Sequence, residues 1–478
     1  MDFQDIVYLS LLIFSVIFGH FYRQIEDLQQ RKRIGTIIGI LIVLVVSGFH
    51  IIHNLVFFLI NAAIILYWDK RQCHLVSIVF SFAYLLFFRT TEYFGIPYPP
   101  SHTNLVQMML TLRIVAVAFD LNTAFTNKKK KEKGDCSEEE RAEIDYDDFS
   151  VDVFELFHYS FNYIGVLTGP FIKYRTFRDY YSKPFSKYAP YKQALLGKLQ
   201  WVPLYAVLHL LATYYYPFSY AKTDEFFFER SVFYRLMYIW PVFFAFRMRL
   251  FIGFALSECA CIMAGLGAYP AITEPKSGGG PSKNFKTLLE LSKNTKQCAT
   301  TEMNFVAVDA VDVWGTEFEP TFKGGMRAWN TGVQYWLALC IYKRCPYKKY
   351  RAFITMGISA MWHGICIGHY ICLGCAPFVL PIDAVWTKIL LKDRTGTVRY
   401  INEWIMLVIS RFFFSYLAIA FYYLNVDWVM YYYNSIYHMG IIIGLVMYFG
   451  GLQILRFMGP KRDSGAVKTV PTERTKAD

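Results

Sequence analysis

The sequence predicts an all-α polytopic membrane protein with about ten to twelve membrane segments, some re-entrant or broken. Three observations carry this. Hydrophobic residues make up 55% and aromatic residues 19% of the 478 residues, and the mean hydropathy is +0.28, which is too apolar for a soluble enzyme of two or three domains. Apolar segments recur along the whole chain. The excess positive charge, +12 from 49 Lys and Arg against 37 Asp and Glu, gathers in short connectors and not on one face. That suits anionic headgroups and phosphates better than nucleic acid.

In order, 6–18 is a first span, preceded by aspartates and followed by no small-residue cleavage site, so it reads as an uncleaved segment and not a signal peptide. The almost unbroken apolar run 34–68 would be ~52 Å long as one helix, against a bilayer core of ~30 Å. It must therefore fold back, near Gly48 to Asn54. Spans over 73–88 and 105–119 complete an N-terminal membrane region, 1–119. The Lys/Arg-rich connectors 23–33, 69–71 and 128–131 alternate with connectors nearly devoid of basic residues. By the positive-inside rule the basic set is cytosolic and the N-terminus lumenal.

A charged stretch, 120–152, follows and reads as a mobile cytosolic loop. The central membrane region is 153–272. Its first segment, 154–174, carries Gly169-Pro170, which breaks a helix because proline removes a backbone donor. Lys173 and Arg175 follow the break and are candidate phosphate contacts, with snorkelling to the interface as the alternative. After a span over 194–217, the run 232–268 is ~55 Å long as one helix and is expected to be divided. Inside it Arg247 and Arg249 are costly unless they meet water, partners or anions. Cys259-Ala260-Cys261 lacks the second half of a zinc site and reads as packing. The ten cysteines are scattered, with no disulfide framework.

Residues 273–325 form a polar and interfacial linker whose first part reads as a flexible loop. Their run Gly278-Gly279-Gly280 has neither a preceding strand nor a following Gly-Lys-Ser/Thr, so a phosphate-binding loop is excluded. In the region 326–455, apolar Trp329, Val333, Trp336 and Cys340 alternate with a polar stripe of Arg327, Asn330 and Gln334, which predicts a half-polar helix through Asn330. His363 sits within the apolar run 352–380, where an ionisable group must face a cavity, and an imidazole in a cavity is a candidate base. His363, Cys366, His369, Cys372 and Cys375 recur every third residue, but that period drifts around a helix and cannot converge on one ion, so no metal is expected. Spans over 352–380, 404–424 and 431–455 end the membrane part. The tail 456–478 reads as disordered and cytosolic, with Arg474 and Lys476 spaced as in a dibasic retrieval signal.

Asn330 in Arg-Ala-Trp-Asn and His363 in Trp-His-Gly, in a many-span basic protein, resemble the asparagine and histidine of the membrane-bound O-acyltransferases. The stretches 81–89, 103–113, 167–176 and 241–249, with Gly267-Ala268-Tyr269-Pro270, are similar to the lysophosphatidylinositol acyltransferase branch. That branch carries His-Pro-Gly-Tyr after its Trp-His-Gly, where this chain has Cys366-Ile367-Gly368-His369.

The resemblance implies a multi-span helical fold around a catalytic chamber. It implies residence in the endoplasmic reticulum and transfer of a fatty acyl chain, expected to be polyunsaturated, from acyl-CoA to lysophosphatidylinositol. Acyl-CoA is a co-substrate, and no cofactor is expected. His363 is then the base that deprotonates the lysolipid hydroxyl, and Asn330 binds the thioester carbonyl or orients substrate. Lys173, Arg175, Arg247, Arg249 and Gln334 are the candidate substrate contacts. Another lysophospholipid, a sterol or a protein as acceptor stays open. A transporter would show inverted repeats, and the sequence has no internal repeat.

Overall fold

A computed structural model describes residues 3–134 and 136–459; the proposed retrieval signal lies outside them. The N-terminal region comprises helices α1 (Phe3–Tyr22), α2 (Leu28–Ser47), α3 (Ile51–Tyr67), α4 (Cys73–Phe88) and α5 (Ser101–Glu132). After α6 (Glu138–Asp147), the central part contains α7 (Val153–Phe161), α8 (Tyr174–Ser182), α9 (Phe185–Tyr188), α10 (Tyr191–Leu199), α11 (Val202–Tyr215) and α12 (Val232–Ala264). A polar segment with α13 (Phe285–Lys293), α14 (Thr295–Thr300) and α15 (Val313–Phe318) leads to α16 (Phe322–Ala328) and α17 (Thr331–Leu337). The chain closes with α18 (Arg351–His363), α19 (Ile367–Trp386), α20 (Gly396–Tyr423), α21 (Val426–Ser435) and α22 (Met439–Met458).

Among the described residues, eight helical stretches are long and apolar enough to cross a membrane, and α4 is a shorter apolar helix. This fits the many-span helical bundle with broken helices. The outer faces are greasy: no residue of α11 is buried, and α22 buries only Gly440, Gly444 and Gly451. These glycines let α22 approach Tyr416, Phe413 and Val385 closely, the small-residue packing that holds helices together where lipid supplies no hydrophobic drive.

The run expected to fold back does so. α2 ends at Gly48, whose φ of 52° is a left-handed conformation that glycine adopts without strain. Gly39 of α2 and Phe58 of α3 then meet the same residue, Phe161, whereas a continuous helix would hold them roughly 28 Å apart. The basic connectors also converge. The Arg344 guanidinium donates to Asn122 Oδ1 at 2.8 Å, and Asn122 Nδ2 to the Lys70 carbonyl at 2.9 Å.

Five expectations need correction. First, the charged stretch 120–152 is not a mobile loop but begins inside α5, which runs to Glu132. Ser137 and Glu140 form a capping box that starts α6, whose Tyr146 is buried against Phe285. Second, α7 stops at Phe161, well before Gly169-Pro170. The irregular segment that follows is satisfied inside protein: Tyr163 N donates to Gly35 O at 2.9 Å, and Arg113 Nη2 to Gly165 O at 2.8 Å.

Third, α12 is one helix over 33 residues and is not divided. Its last turns run into protein and not lipid, with Cys259 to Ile262 buried, so its length need not match the bilayer. Fourth, the polar linker is structured, with Tyr269–Pro270 pairing antiparallel to Met303–Asn304 beside α13 and α14. Fifth, the run 352–380 is broken: α18 ends at His363 and α19 begins at Ile367.

Candidate active site

The site is a cavity of about 1450 Å³ between α1, α5, α11, α12, α16 to α20 and the irregular segment after α7. A pocket for one drug-sized ligand spans roughly 300–1,000 Å³, so this volume suits two substrates. Its wall is mostly apolar, with Leu9, Met108, Phe171, Phe243 and Phe421 among the lining residues, and Asn330 and His363 both face it.

Asn330 is not in the middle of a helix, as the pattern of its neighbours predicted. α16 ends at Ala328, and Asn330 caps α17 with φ 44° and ψ 57°, in the left-handed region that asparagine tolerates better than other residues with a Cβ. The turn is held from several sides. Thr331 N donates to Ala310 O at 2.8 Å, and the Gln334 amide nitrogen donates to the carbonyls of Met326 and Trp329. Gln334 thus supports the turn. Among the described residues, the Asn330 carboxamide makes no hydrogen bond of its own and faces the cavity.

His363 is the last residue of α18, and its position is fixed by its neighbours. Trp362 Nε1 donates to Met108 O at 3.0 Å. Arg89, buried, donates to the carbonyls of Met361 and Trp362 at 2.8 and 2.6 Å, satisfying two C=O groups that a helix end leaves orphaned. The imidazole meets the edge of Phe421 at 5.2 Å and lies parallel to His369 at 6.3 Å. Its ring nitrogens have no hydrogen-bond partner among the described residues, so both the ring and the Asn330 amide present unengaged polar atoms to one chamber.

Gly364 makes the break after His363 possible by its size. A Cβ there would lie 2.4 Å from His369 Cε1. Gly364→Ala is therefore expected to lower stability by about 1–3 kcal/mol through overpacking and to reduce turnover by displacing His363. Thermal unfolding in detergent, followed by activity per folded molecule, checks both effects.

The remaining candidates divide. Arg247, Arg249 and Gln334 line the cavity, whereas Lys173 and Arg175 do not. Lys173 Nζ is paired with Asp120 at 2.9 Å. Arg175 is paired with Asp147 at 2.7 Å and also donates to the carbonyls of Gly279 and Pro281. Both are buried within these pairs, where they fasten α5 and α6 to α8 and leave little for a phosphate. Arg247 makes two bonds to Glu317, at 2.6 and 2.9 Å, and Arg249 bonds Asp5 at 2.8 Å. No cluster of three or more His, Cys, Asp or Glu residues able to hold a metal ion occurs among the described residues. Among the cavity residues that the sequence did not single out are Phe421, which carried no signal, and Arg411, which did, as a lone arginine in an apolar run.

The profile of the membrane-bound O-acyltransferase family matches residues 54–426. The chain is 41% identical over 452 residues to the membrane-bound acylglycerophosphatidylinositol O-acyltransferase frj of Drosophila melanogaster, covering 92% of this chain and 91% of that one. It is 32% identical to the protein of that activity, mboat7, in Xenopus laevis, over 97% of this chain and 96% of the relative. Its identity to human MBOAT7 is 31%, over 91% of each chain.

Proposed function

Because the chain belongs to the membrane-bound O-acyltransferase family, we propose that it acylates lysophosphatidylinositol from acyl-CoA and so remodels phosphatidylinositol in the membrane of the endoplasmic reticulum. The acceptor follows the names of the relatives, which are acylglycerophosphatidylinositol O-acyltransferases over almost their full length. The observation that carries the reading is the chamber itself, which Asn330 and His363 both line with no hydrogen-bond partner for their side-chain polar atoms among the described residues.

The chemistry follows from these groups. A neutral His363 accepts the proton of the lysolipid hydroxyl as its oxygen attacks the thioester carbon. The carbonyl oxygen gains charge and takes a hydrogen bond from the Asn330 amide. The C–S bond then breaks, and the imidazolium returns its proton to the departing CoA thiolate. No acyl-enzyme is required, since one cavity holds both reactants and proximity removes much of the entropic barrier.

Purified protein offered lysophosphatidylinositol, lysophosphatidylcholine, lysophosphatidylserine and lysophosphatidylethanolamine with one acyl-CoA is expected to prefer the inositol lipid by tenfold or more, about 1.4 kcal/mol. An equal or higher rate with another headgroup overturns the acceptor assignment. Exchanging the donor between arachidonoyl- and palmitoyl-CoA tests the expected polyunsaturated chain. Microscopy of the tagged protein tests the compartment.

A further inference from the structure

Among the described residues nine lysine and arginine side chains are deeply buried, and eight of them have either a carboxylate partner or at least two carbonyl acceptors. Lys32, Lys173, Arg175 and Arg247 each pair with a carboxylate. Arg31, Arg89, Arg113 and Arg235 each donate to at least two backbone carbonyls. Arg411 is the exception. It is only 6% exposed, yet among the described residues it has no carboxylate partner and makes one hydrogen bond, from Nη2 to the Glu319 carbonyl at 2.9 Å. Its Nε is buried with no partner, as are those of Arg113 and Arg235, but those two guanidiniums each reach at least two carbonyls where Arg411 reaches one. A buried guanidinium with unused donors is unfavourable unless something anionic completes it, and Arg411 lines the substrate cavity.

Its place along α20 says which anion. Arg411 and Phe421 lie ten residues apart on that helix, about 15 Å along its axis, and Phe421 is the ring against His363. The Arg411 side chain leans further towards the start of α20 and away from Phe421. In a lysophospholipid the phosphate sits on the carbon next to the one that bears the reacting hydroxyl, so with that hydroxyl at His363 its phosphate cannot reach Arg411. In acyl-CoA the pantetheine arm separates the thioester from the diphosphate by a distance of this order. The start of α20 and the turn before it carry Lys388, Lys392, Arg394 and Arg399, a basic connector of the cytosolic type, so Arg411 lies between His363 and the side from which a water-soluble donor arrives.

We propose that Arg411 is a donor-binding residue that takes an oxyanion of the CoA diphosphate with the donors it leaves unused, and so sets how far the acyl thioester enters the chamber. This rests on the acyl-CoA reading above. The wall beside it fits a flat guanidinium held ready: Arg411 lies over Phe414 at 5.2 Å, and Phe414 stacks on Phe322 at 4.2 Å. The neighbouring Arg247 is already neutralised by Glu317, so the unpaired charge at this level of the wall belongs to Arg411.

The test compares wild type, Arg411→Gln and Arg411→Lys as full-length purified protein. Gln keeps a donor for the Glu319 carbonyl but loses the charge, and Lys keeps the charge. The expected results are an acyl-CoA KM raised about tenfold or more in Arg411→Gln, in line with a lost charge-assisted hydrogen bond, a lysophosphatidylinositol KM changed by less than about twofold, and partial recovery in Arg411→Lys. Calorimetric binding of coenzyme A should weaken in step, while pantetheine, which has no phosphate, should bind wild type and Arg411→Gln alike. Unchanged coenzyme A binding in a folded Arg411→Gln, a rise in the lysolipid KM instead, or equal losses for pantetheine overturns the proposal. Where Arg411→Gln does not fold, an unchanged acyl-CoA KM in Arg411→Lys overturns it equally, because an ammonium on a shorter, non-planar head cannot reproduce the fork. A wild-type protein that binds no coenzyme A contradicts the donor reading itself.

Discussion

His363→Ala is expected to lower kcat by about 10² to 10⁴, the range that positioned proton transfer supplies, and to leave KM for both substrates and membrane insertion nearly unchanged. The structure explains why the effect should be clean. The imidazole closes no hydrogen bond in the fold, and its helix is anchored by other groups: Trp362 on Met108 and Arg89 on the carbonyls of Met361 and Trp362. Removing the ring takes away Phe421 and His369 contacts and leaves space that a substrate normally fills. His363→Gln keeps a polar group of similar reach without a base of suitable strength, and should be as inactive. Turnover within about threefold of wild type in either variant, outside the range of base catalysis, would remove His363 from the chemistry.

Asn330 needs two substitutions, because its backbone and its side chain do different things. Its left-handed conformation costs an alanine roughly 1–2 kcal/mol, so Asn330→Ala alone confounds strain with lost chemistry. Glycine adopts the conformation freely. If the carboxamide polarises the thioester carbonyl, Asn330→Gly should keep wild-type thermal stability and lose about 10² to 10³ in kcat, the effect of removing one oxyanion donor. If Asn330 serves only to shape the turn between α16 and α17, Asn330→Gly should be nearly as active as wild type and Asn330→Ala should unfold more easily. Activity and melting temperature, read on both variants, separate the two roles.

The membrane class, the order of the spans and the fold-back at Gly48 were legible because hydropathy and length are local properties. The exposure of Asn330 and His363 to a cavity was legible as an expectation, since polar groups in apolar runs must face something other than lipid. The turn at Asn330 was not. Its neighbours keep a helical pattern on both sides, and only the tertiary bonds of Thr331 and Gln334 impose the left-handed residue. Lys173 and Arg175 read as open cations because their partners, Asp120 of α5 and Asp147 of α6, lie in the distant charged stretch 120–152. That stretch did contain a readable signal, the Ser137 to Glu140 capping box, which its charged composition outweighed. Arg411 was equally visible as an arginine in an apolar run, but its lack of a carboxylate partner is a property of the packed structure alone.

The most direct measurement is a structure of the protein bound to lysophosphatidylinositol and a non-transferable acyl-CoA analogue in which the thioester is replaced by a ketone. The account predicts both ligands in the single cavity, with the acceptor hydroxyl and the carbonyl oxygen each within about 2.6–3.2 Å of a polar atom of His363 or Asn330. Either reacting group bound away from these two residues, or the two ligands occupying separate sites, would contradict it.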